Sequence, residues 1–479
     1  MTSSANMTVA SVSDPPTWTR EAIAVTLAAS FGFALVQLDV TIINVALPTI
    51  ADALHCDISG LQWLVDAYAL TFAVLLLTCG ALTDRFGAKR VYLFGLGLFA
   101  VASVLCGLAP TAPTLIAARC LQGVAAPAML PSSLALLNHA TGHNPGLRAR
   151  AIGWWTAAGS ITIAAGPIAG GLLVATAGWR SIFLVNLPLC ALGAWLTWRC
   201  PSDTRSRPEP GAPARGLDLP GQLLAIVALG ALTATVIELR SLGWHHPAIL
   251  AGIAVSVIAW PAFLWVEATS RAPMLPLHIF RVPSFTPAVL YGVAVNLSYY
   301  GIVFVLSLYL QRVQGYSALR AGLAYLPLTA TFFAINVWSG QLISRVGVRK
   351  PMLFGALIDA SGFALLLTLG ASSSYWLMLP AFALIPAGMG LGVPAMTTTV
   401  LSSVDKSWSG VASGVLNAAR QAAGVIGVAL FGALAGDGSE HVVSGLHIAA
   451  TSCIILLLTA ASIVFFAIRP PEQPQRPPG

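Results

Sequence analysis

The 479-residue chain is 57% hydrophobic and only 9% charged, against about a quarter charged in an ordinary soluble domain. This balance excludes a water-soluble enzyme, a nucleic-acid-binding module and a disulfide-stapled secreted domain, and it describes a protein that crosses a membrane many times. The net charge of +7 then needs a lipid explanation and no nucleic-acid partner.

A bilayer core takes about 20 apolar residues per helix. Gly, Pro and charged clusters cut the chain into fourteen such stretches, predicted at 22 to 48, 61 to 82, 91 to 109, 114 to 137, 150 to 176, 181 to 198, 219 to 239, 247 to 266, 286 to 310, 319 to 343, 351 to 370, 375 to 402, 410 to 435 and 445 to 468. Residues 1–20 lack the basic-then-apolar pattern of a cleaved signal and read as a cytoplasmic tail. With that tail inside, only Arg180, Arg240, Arg312 and Arg320 fall outside, Arg119 and Arg420 lie within spans, and the other Lys and Arg residues are cytoplasmic. This asymmetry predicts an integral plasma (inner) membrane protein with both termini in the cytoplasm, its basic excess facing anionic lipid. The seven cysteines are scattered with no metal-ligand spacing and read as small packing residues.

In chain order, the first helix carries an acid, Asp39, in the run Leu38-Asp39-Val40-Thr41-Ile42-Ile43-Asn44-Val45-Ala46-Leu47-Pro48. A mid-bilayer Asp costs about 2.5–3.5 kcal/mol on insertion scales, so it needs a partner, a proton or a water-filled cavity. Helical angles put Gln37, Thr41, Asn44 and Pro48 on one stripe and Asp39 nearly opposite, which leaves open which face lines a cavity. The second helix adds Asp66 between Trp63 and Tyr68, and the fourth contains Arg119 and Gln122. At ~1.5 Å rise per residue, Arg119 and Asp66 lie about 8 Å and Asp39 about 13 Å below the outer face. Arg119 is therefore expected to pair with Asp39 or with Asp66, or else to snorkel outward. The fifth helix reads Gly153-x8-Thr162-x3-Gly166-Pro167-x2-Gly170-Gly171. Its proline kinks the helix, and its glycines are expected to let it pack closely on a helix of the other half. Later helices contribute Tyr299, Tyr300, Tyr309 and Tyr325, which join Asn44, Trp63, Tyr68 and Gln122 as candidates to line a substrate cavity. Asp359 and Arg420 lie at comparable depth in the eleventh and thirteenth helices, where a structural pair is one reading.

An internal repeat organises these spans. Gly80-Ala-Leu-Thr-Asp84-Arg85-Phe-Gly87-Ala-Lys89-Arg90 returns as Gly340-Gln-Leu-Ile-Ser344-Arg345-Val-Gly347-Val-Arg349-Lys350, and Gly123 to Met129 is echoed by Gly390 to Met396. The spacing is too long for one six-helix unit and leaves room for two more helices. The predicted fold is all-α: a cytoplasmic tail (1–20), a six-helix bundle (21–199), a linker (200–216), an inserted pair (217–267), a linker (268–285), a second six-helix bundle (286–468) and a Pro-rich cytoplasmic tail (469–479).

On these motifs the chain resembles the major facilitator superfamily, and within it the fourteen-helix drug:proton antiporters. The loop from Gly80 to Arg90 is similar to that superfamily's signature after the second helix, which the resemblance makes a cytoplasmic latch between the halves formed by Gly80, Asp84, Arg85, Gly87, Lys89 and Arg90. Ser344 replaces the acid in the second copy, so the latch there is expected to be weaker. The first-helix run resembles one characteristic of fourteen-helix exporters. The fifth-helix run resembles the antiporter hinge of Gly153, Gly166, Pro167, Gly170 and Gly171, with Thr162 where a Gly is usual. The resemblance implies proton coupling through Asp39, Asp66 and Arg119 and multidrug efflux associated with antibiotic resistance. It also implies export of hydrophobic neutral or monocationic compounds by alternating access, driven by the proton gradient with no cofactor or metal, by a chain that works as a monomer with lipid, protons and small hydrophobic substrates as its partners. The rival readings are a proton-linked importer or facilitator of a polar metabolite and, more distantly, a membrane-embedded enzyme, which the scattered histidines disfavour.

Overall fold

The computed structural model describes residues 18–141, 145–200, 218–270, 273–405, 408–436 and 438–468. Most of both predicted tails and of the linker from 200 to 216 lies outside the described residues. Fourteen helical spans follow in order: α1 (Arg20–Leu54), α2 (Ile58–Phe86), α3 (Ala88–Leu108), α4 (Ala112–Thr141), α5 (Pro145–Ala177), α6 (Ser181–Arg199), α7 (Leu219–Leu242), α8 (Pro247–Thr269), α9 (Phe285–Leu308), α10 (Ala318–Val346), α11 (Arg349–Leu366), α12 (Tyr375–Ser402), α13 (Ser409–Ala435) and α14 (Ser439–Ala467). No strand occurs among the described residues. All but α11 have the length and apolarity to cross a bilayer. That helix has 18 residues, including Arg349, Lys350 and Asp359, and packs between α12 and α14.

The helices run past the predicted apolar spans because polar residues at the membrane surface cap them. Thr19 accepts a 3.0 Å hydrogen bond from the Ala22 amide, and Asp57 and Asp218 each accept one at 2.9 Å from the amides of Gly60 and Gly221. Such caps satisfy amide groups that a helix end otherwise leaves open. Two spans are broken near a proline: α6 at Val185, three residues before Pro188, and α10 at Tyr325, two before Pro327. Pro lacks the N–H that would continue the ladder. The helix α9 ends in a π-turn, Tyr309–Val313.

The first six helices pack as one bundle and the last six as another, and the sequence repeat is visible in space. Gly87 and Gly347 both turn the chain at positive φ, +91° and +76°, a conformation open to glycine and costly for other residues. Gly95 abuts the Ala125 carbonyl of α4, and Gly355 the Gly388 carbonyl of α12. In the membrane, small residues of this kind replace the hydrophobic effect as the source of close helix packing. The pair α7–α8 lies against α2 and α13, one helix from each bundle. Its anchors are polar groups: buried Gln222 donates to the Val74 carbonyl at 2.7 Å and accepts from Thr78, and the half-buried Trp63 indole donates to Glu238 at 2.9 Å. Leu250, Val257, Ile258 and Trp265 of α8 are exposed, as a lipid-facing helix requires.

We call the face where α1 begins and α14 ends the terminal face, and the opposite one the far face. Contacts between the two bundles gather toward the far face. Gln311 donates to the Val45 carbonyl at 3.1 Å, Ser307 donates to the Asn44 carbonyl, and Gln62 donates to the carbonyls of Val428 and Ala429 at 3.1 and 2.6 Å. Nearer the terminal face Gly153 and Gly340 border open space, while Gly414 still lies against Leu77.

Candidate functional site

The charged centre of the first bundle is a buried network built around one ion pair, in which Asn186 Oδ1 and the Tyr68 hydroxyl keep no partner among the described residues. Arg119 of α4 donates from Nη1 to Asp39 Oδ2 at 2.5 Å, and both residues are 1% exposed. The same Nη1 reaches Gln122 Oε1 at 2.8 Å, and Nε donates to the Leu64 carbonyl at 3.1 Å. Asn186 of α6 donates to Asp39 Oδ1 at 3.1 Å, and Gln122 donates to Ser103 of α3 at 2.8 Å. Tyr68 lies under the guanidinium, 4.4 Å from ring centre to Cζ, an attractive cation–π arrangement. A buried ion pair is tolerable when hydrogen bonds satisfy its remaining atoms, and this network supplies them. Of the two acids considered for Arg119, the structure pairs it with Asp39, and Arg119 does not snorkel.

The open question of the first helix's faces is decided by this packing. Asp39 points into its own bundle. Thr41 and Asn44 instead line a small cavity between the bundles, together with Ile163, Pro167, Tyr299 and Tyr325. Asp66 is fully buried, and neither carboxyl oxygen has a hydrogen-bond partner among the described residues. One turn along the same helix, Gln62 bonds to α13, so Asp66 lies on the side of α2 that faces the second bundle.

The other cavity candidates divide. Tyr300 adjoins Tyr299, their rings 5.4 Å apart, and packs where Gly424 of α13 leaves room. Trp63 is a correction: its indole is committed to Glu238 of the inserted pair. Tyr309 is a second, being fully buried and donating to the Gly370 carbonyl, which makes it a brace for the loop between α11 and α12. Aromatic composition alone could not separate these environments.

The fifth-helix glycines also need correcting. Gly166 and Gly170 abut Thr41 and Ile42 of α1, in the same bundle; only Gly171, against Ala318 and Leu319, and the Pro167 carbonyl, against Gly322, meet α10 of the other bundle. Gly153 borders open space, and Thr162 bonds back to the Ala158 and Gly159 carbonyls of its own helix. The stretch expected to be a loop is helical on both sides of a one-residue turn at Gly87: Asp84 and Arg85 of α2 and Arg90 of α3 are exposed, and Lys89 of α3 donates to the Trp198 and Cys200 carbonyls at the end of α6. This contact ties the loop to its own bundle.

In the second bundle Asp359 and Arg420 do not pair. Asp359 is 3% exposed and packs against Gly388, with Oδ1 lacking a partner; Arg420 Nε is buried and also lacks one. The residues that sequence reasoning missed are Asn186 and Ser103, both uncharged and outside any motif. The one signal for Asn186 was a lone amide two residues before a proline in an apolar run.

Against known proteins, the family model described as Major Facilitator Superfamily matches residues 29–428. The chain is 39% identical over 401 residues to the methylenomycin A resistance protein of Streptomyces coelicolor, covering 84% of this chain and 83% of that one. It is 37% identical over 408 residues to the multidrug resistance protein Stp of Mycobacterium tuberculosis, covering 85% and 75%. Among solved structures, a D-xylose-proton symporter superposes with a TM-score of 0.68 at 14% identity, covering 94% of this chain and 99% of that one, a likeness of fold alone. With the family match spanning most of the chain and relatives this close, the chain belongs to the Major Facilitator Superfamily, a family of transporters.

Proposed function

We propose that the chain is a proton-coupled antiporter that exports hydrophobic neutral or monocationic compounds, antibiotics among them, by alternating access. Its relatives include proteins named for resistance to methylenomycin A and for export of tetracenomycin C and cephamycin. The observation that carries the reading is the contrast between two buried acids of the first bundle. Asp39 is locked to Arg119, whereas Asp66 faces the second bundle without a partner. Asp66 can therefore exchange a proton without an ion pair being broken, at a helix face that must slide or tilt as the bundles rock. Protonation of Asp39 would release Arg119, a larger rearrangement within the first bundle. The Lys and Arg excess at the terminal face favours that face as cytoplasmic, and the far-face contacts support reading the arrangement as inward-facing. The protein is proposed to act as a monomer in the inner membrane, without cofactor and without a catalytic site.

The test is efflux from proteoliposomes under an imposed pH gradient. Dye efflux that collapses with an uncoupler supports the reading; efflux indifferent to the gradient overturns it. The acids within the membrane are few, and α10 contains none. Each positive charge expelled against an inside-negative potential costs about 2.3 kcal/mol per 100 mV. Monovalent lipophilic cations are therefore expected to leave roughly tenfold faster than matched bis-cations, about 1.4 kcal/mol of discrimination. Equal rates for both would refute the charge selectivity.

A further inference from the structure

At the far face a crevice opens where the inserted pair meets both bundles. It encloses about 120 Å³ and is lined by Asp57, the cap of α2, by Ser59 and Gln62 in the first turns of that helix, by Arg240 and Ser241 at the end of α7, and by Ala433 near the end of α13. Gln62, 1% exposed, closes it on the inside and donates its amide to the Val428 and Ala429 carbonyls of α13. Asp57, Arg240 and Ser241 are exposed at its mouth.

Asp57 and Arg240 carry opposite charges and border the same cavity, yet they do not pair. Among the described residues the only ion pair within 4.0 Å is that of Arg119 with Asp39. Asp57 uses Oδ1 to accept from the Gly60 amide, and its Oδ2 has no hydrogen-bond partner among the described residues. Arg240 makes one long bond, 3.4 Å from Nη1 to the Ala433 carbonyl, which leaves four of its five N–H groups open. The crevice thus offers an acceptor with negative charge and a fork of donors with positive charge, and a complementary ligand carries both charges close together.

The depth of the crevice narrows the choice. Leu242 and Trp244, in the turn that follows Ser241, are 41% and 65% exposed. Tryptophan beside an exposed apolar residue at a helix end marks the level where acyl chains give way to head groups, and zwitterionic phospholipids present both charges at that level. A guanidinium matches phosphate with its planar fork. A carboxylate accepts from a primary ammonium, which has three N–H donors, whereas a trimethylammonium has none.

We propose that this crevice binds the head group of an ethanolamine phospholipid from the far-face leaflet, with its phosphate on Arg240 and its ammonium on Asp57. Such a lipid touches α2, α7 and α13 together and so favours the arrangement in which they meet. The site is independent of what the protein transports and in which direction.

The test uses the full chain purified in detergent, titrated with dioctanoyl phosphatidylethanolamine, phosphatidylcholine and phosphatidylglycerol and with free phosphoethanolamine, with bound molecules counted by native mass spectrometry. Wild type is expected to bind the ethanolamine lipid at least about tenfold more tightly than the choline lipid. Asp57→Asn is expected to abolish that preference without lowering the melting temperature, because Asn caps a helix as well as Asp does and only the charge is lost. Arg240→Gln is expected to weaken both lipids by about tenfold. Ser241→Leu, which fills the mouth from an exposed position and leaves the cap alone, is expected to weaken both as well, so a fold defect in Asp57→Asn does not decide the matter. Equal binding of the ethanolamine and choline lipids by wild type, a preference that survives in a folded Asp57→Asn, or binding unchanged in both Arg240→Gln and Ser241→Leu would each overturn the site. Tighter binding of the glycerol lipid than of the ethanolamine lipid would reduce the crevice to a plain anion site and overturn the role of Asp57. Free phosphoethanolamine binding as tightly as the lipid would overturn the membrane as the source of the ligand.

Discussion

In the first bundle an acid and an arginine meet at 2.5 Å inside a shell of amide, hydroxyl and carbonyl partners. In the second bundle an acid and an arginine lie at comparable depth and do not meet, and each keeps a polar atom without a partner. The bundles share a backbone plan, down to the glycines at 95 and 355 that seat α3 on α4 and α11 on α12, but not a charge plan. A satisfied network holds its helices in one arrangement, because any displacement exposes a buried charge. An unsatisfied one leaves its groups available to whatever enters.

The largest effect is expected from breaking the satisfied pair. In Asp39→Asn the guanidinium of Arg119 stays buried without a counter-charge, a loss of about 3–5 kcal/mol. A lowered melting temperature and efflux reduced to background are expected. The double variant Asp39→Asn/Arg119→Gln should recover much of the melting temperature and none of the efflux, since neither residue can then respond to a proton. If Asp39→Asn exports as well as wild type at matched expression, Asp39 is not part of the coupling.

Next in size is the seam between the bundles. A Cβ at Gly322 would stand 2.1 Å from the Pro167 carbonyl, whereas one at Gly153 meets nothing within 4 Å. Gly322→Ala is expected to cut efflux by roughly tenfold, equivalent to about 1.4 kcal/mol against closure of the far face. It should also raise thiol-reagent access to a cysteine placed at Leu319. Gly153→Ala should match wild type in both assays, and a reversal of the two results would move the hinge to the terminal half of α5.

The smallest effect should come from the unsatisfied acid of the second bundle. Asp359→Asn replaces a buried carboxyl that no cation balances, so stability is expected to hold or to rise by about 1 kcal/mol, with efflux within about twofold of wild type. A loss as deep as that of Asp39→Asn would put proton coupling in the second bundle and erase the distinction between the halves.

The fourteen spans were legible because each is an apolar run bounded by Gly, Pro or charge, and the two loops at 80–90 and 340–350 announced the repeat. The ends were less legible, since caps such as Thr19 and Asp57 carry helices beyond the apolar core. The Gly-rich run of α5 told correctly that something packs closely there, but not that Gly166 and Gly170 serve α1 while Gly171 serves α10. Small residues record proximity and not the identity of the neighbour. The face of α1 was undecidable for a related reason: polar groups on both of its sides are satisfied, Asp39 by Arg119 and Thr41 by its own helix carbonyls. Asn186 and Ser103 escaped notice because a neutral amide or hydroxyl in a membrane helix carries no pattern until its partner is known.

The way the inserted pair is fastened bears on how lipid surrounds the moving protein. Among the described residues, four hydrogen bonds join α7 to α2, through Ser59, Trp63, Val74 and Thr78, while α13 is reached by one, from exposed Arg240 to the Ala433 carbonyl at 3.4 Å. The pair is therefore expected to travel with the first bundle and to slide over the second. On that flank acyl chains meet a helical shutter, so the bilayer touches the junction of the bundles chiefly on the opposite side, along α5 and α10. A transporter built this way presents a single greased edge to the membrane, and its rocking stirs lipid on one flank only.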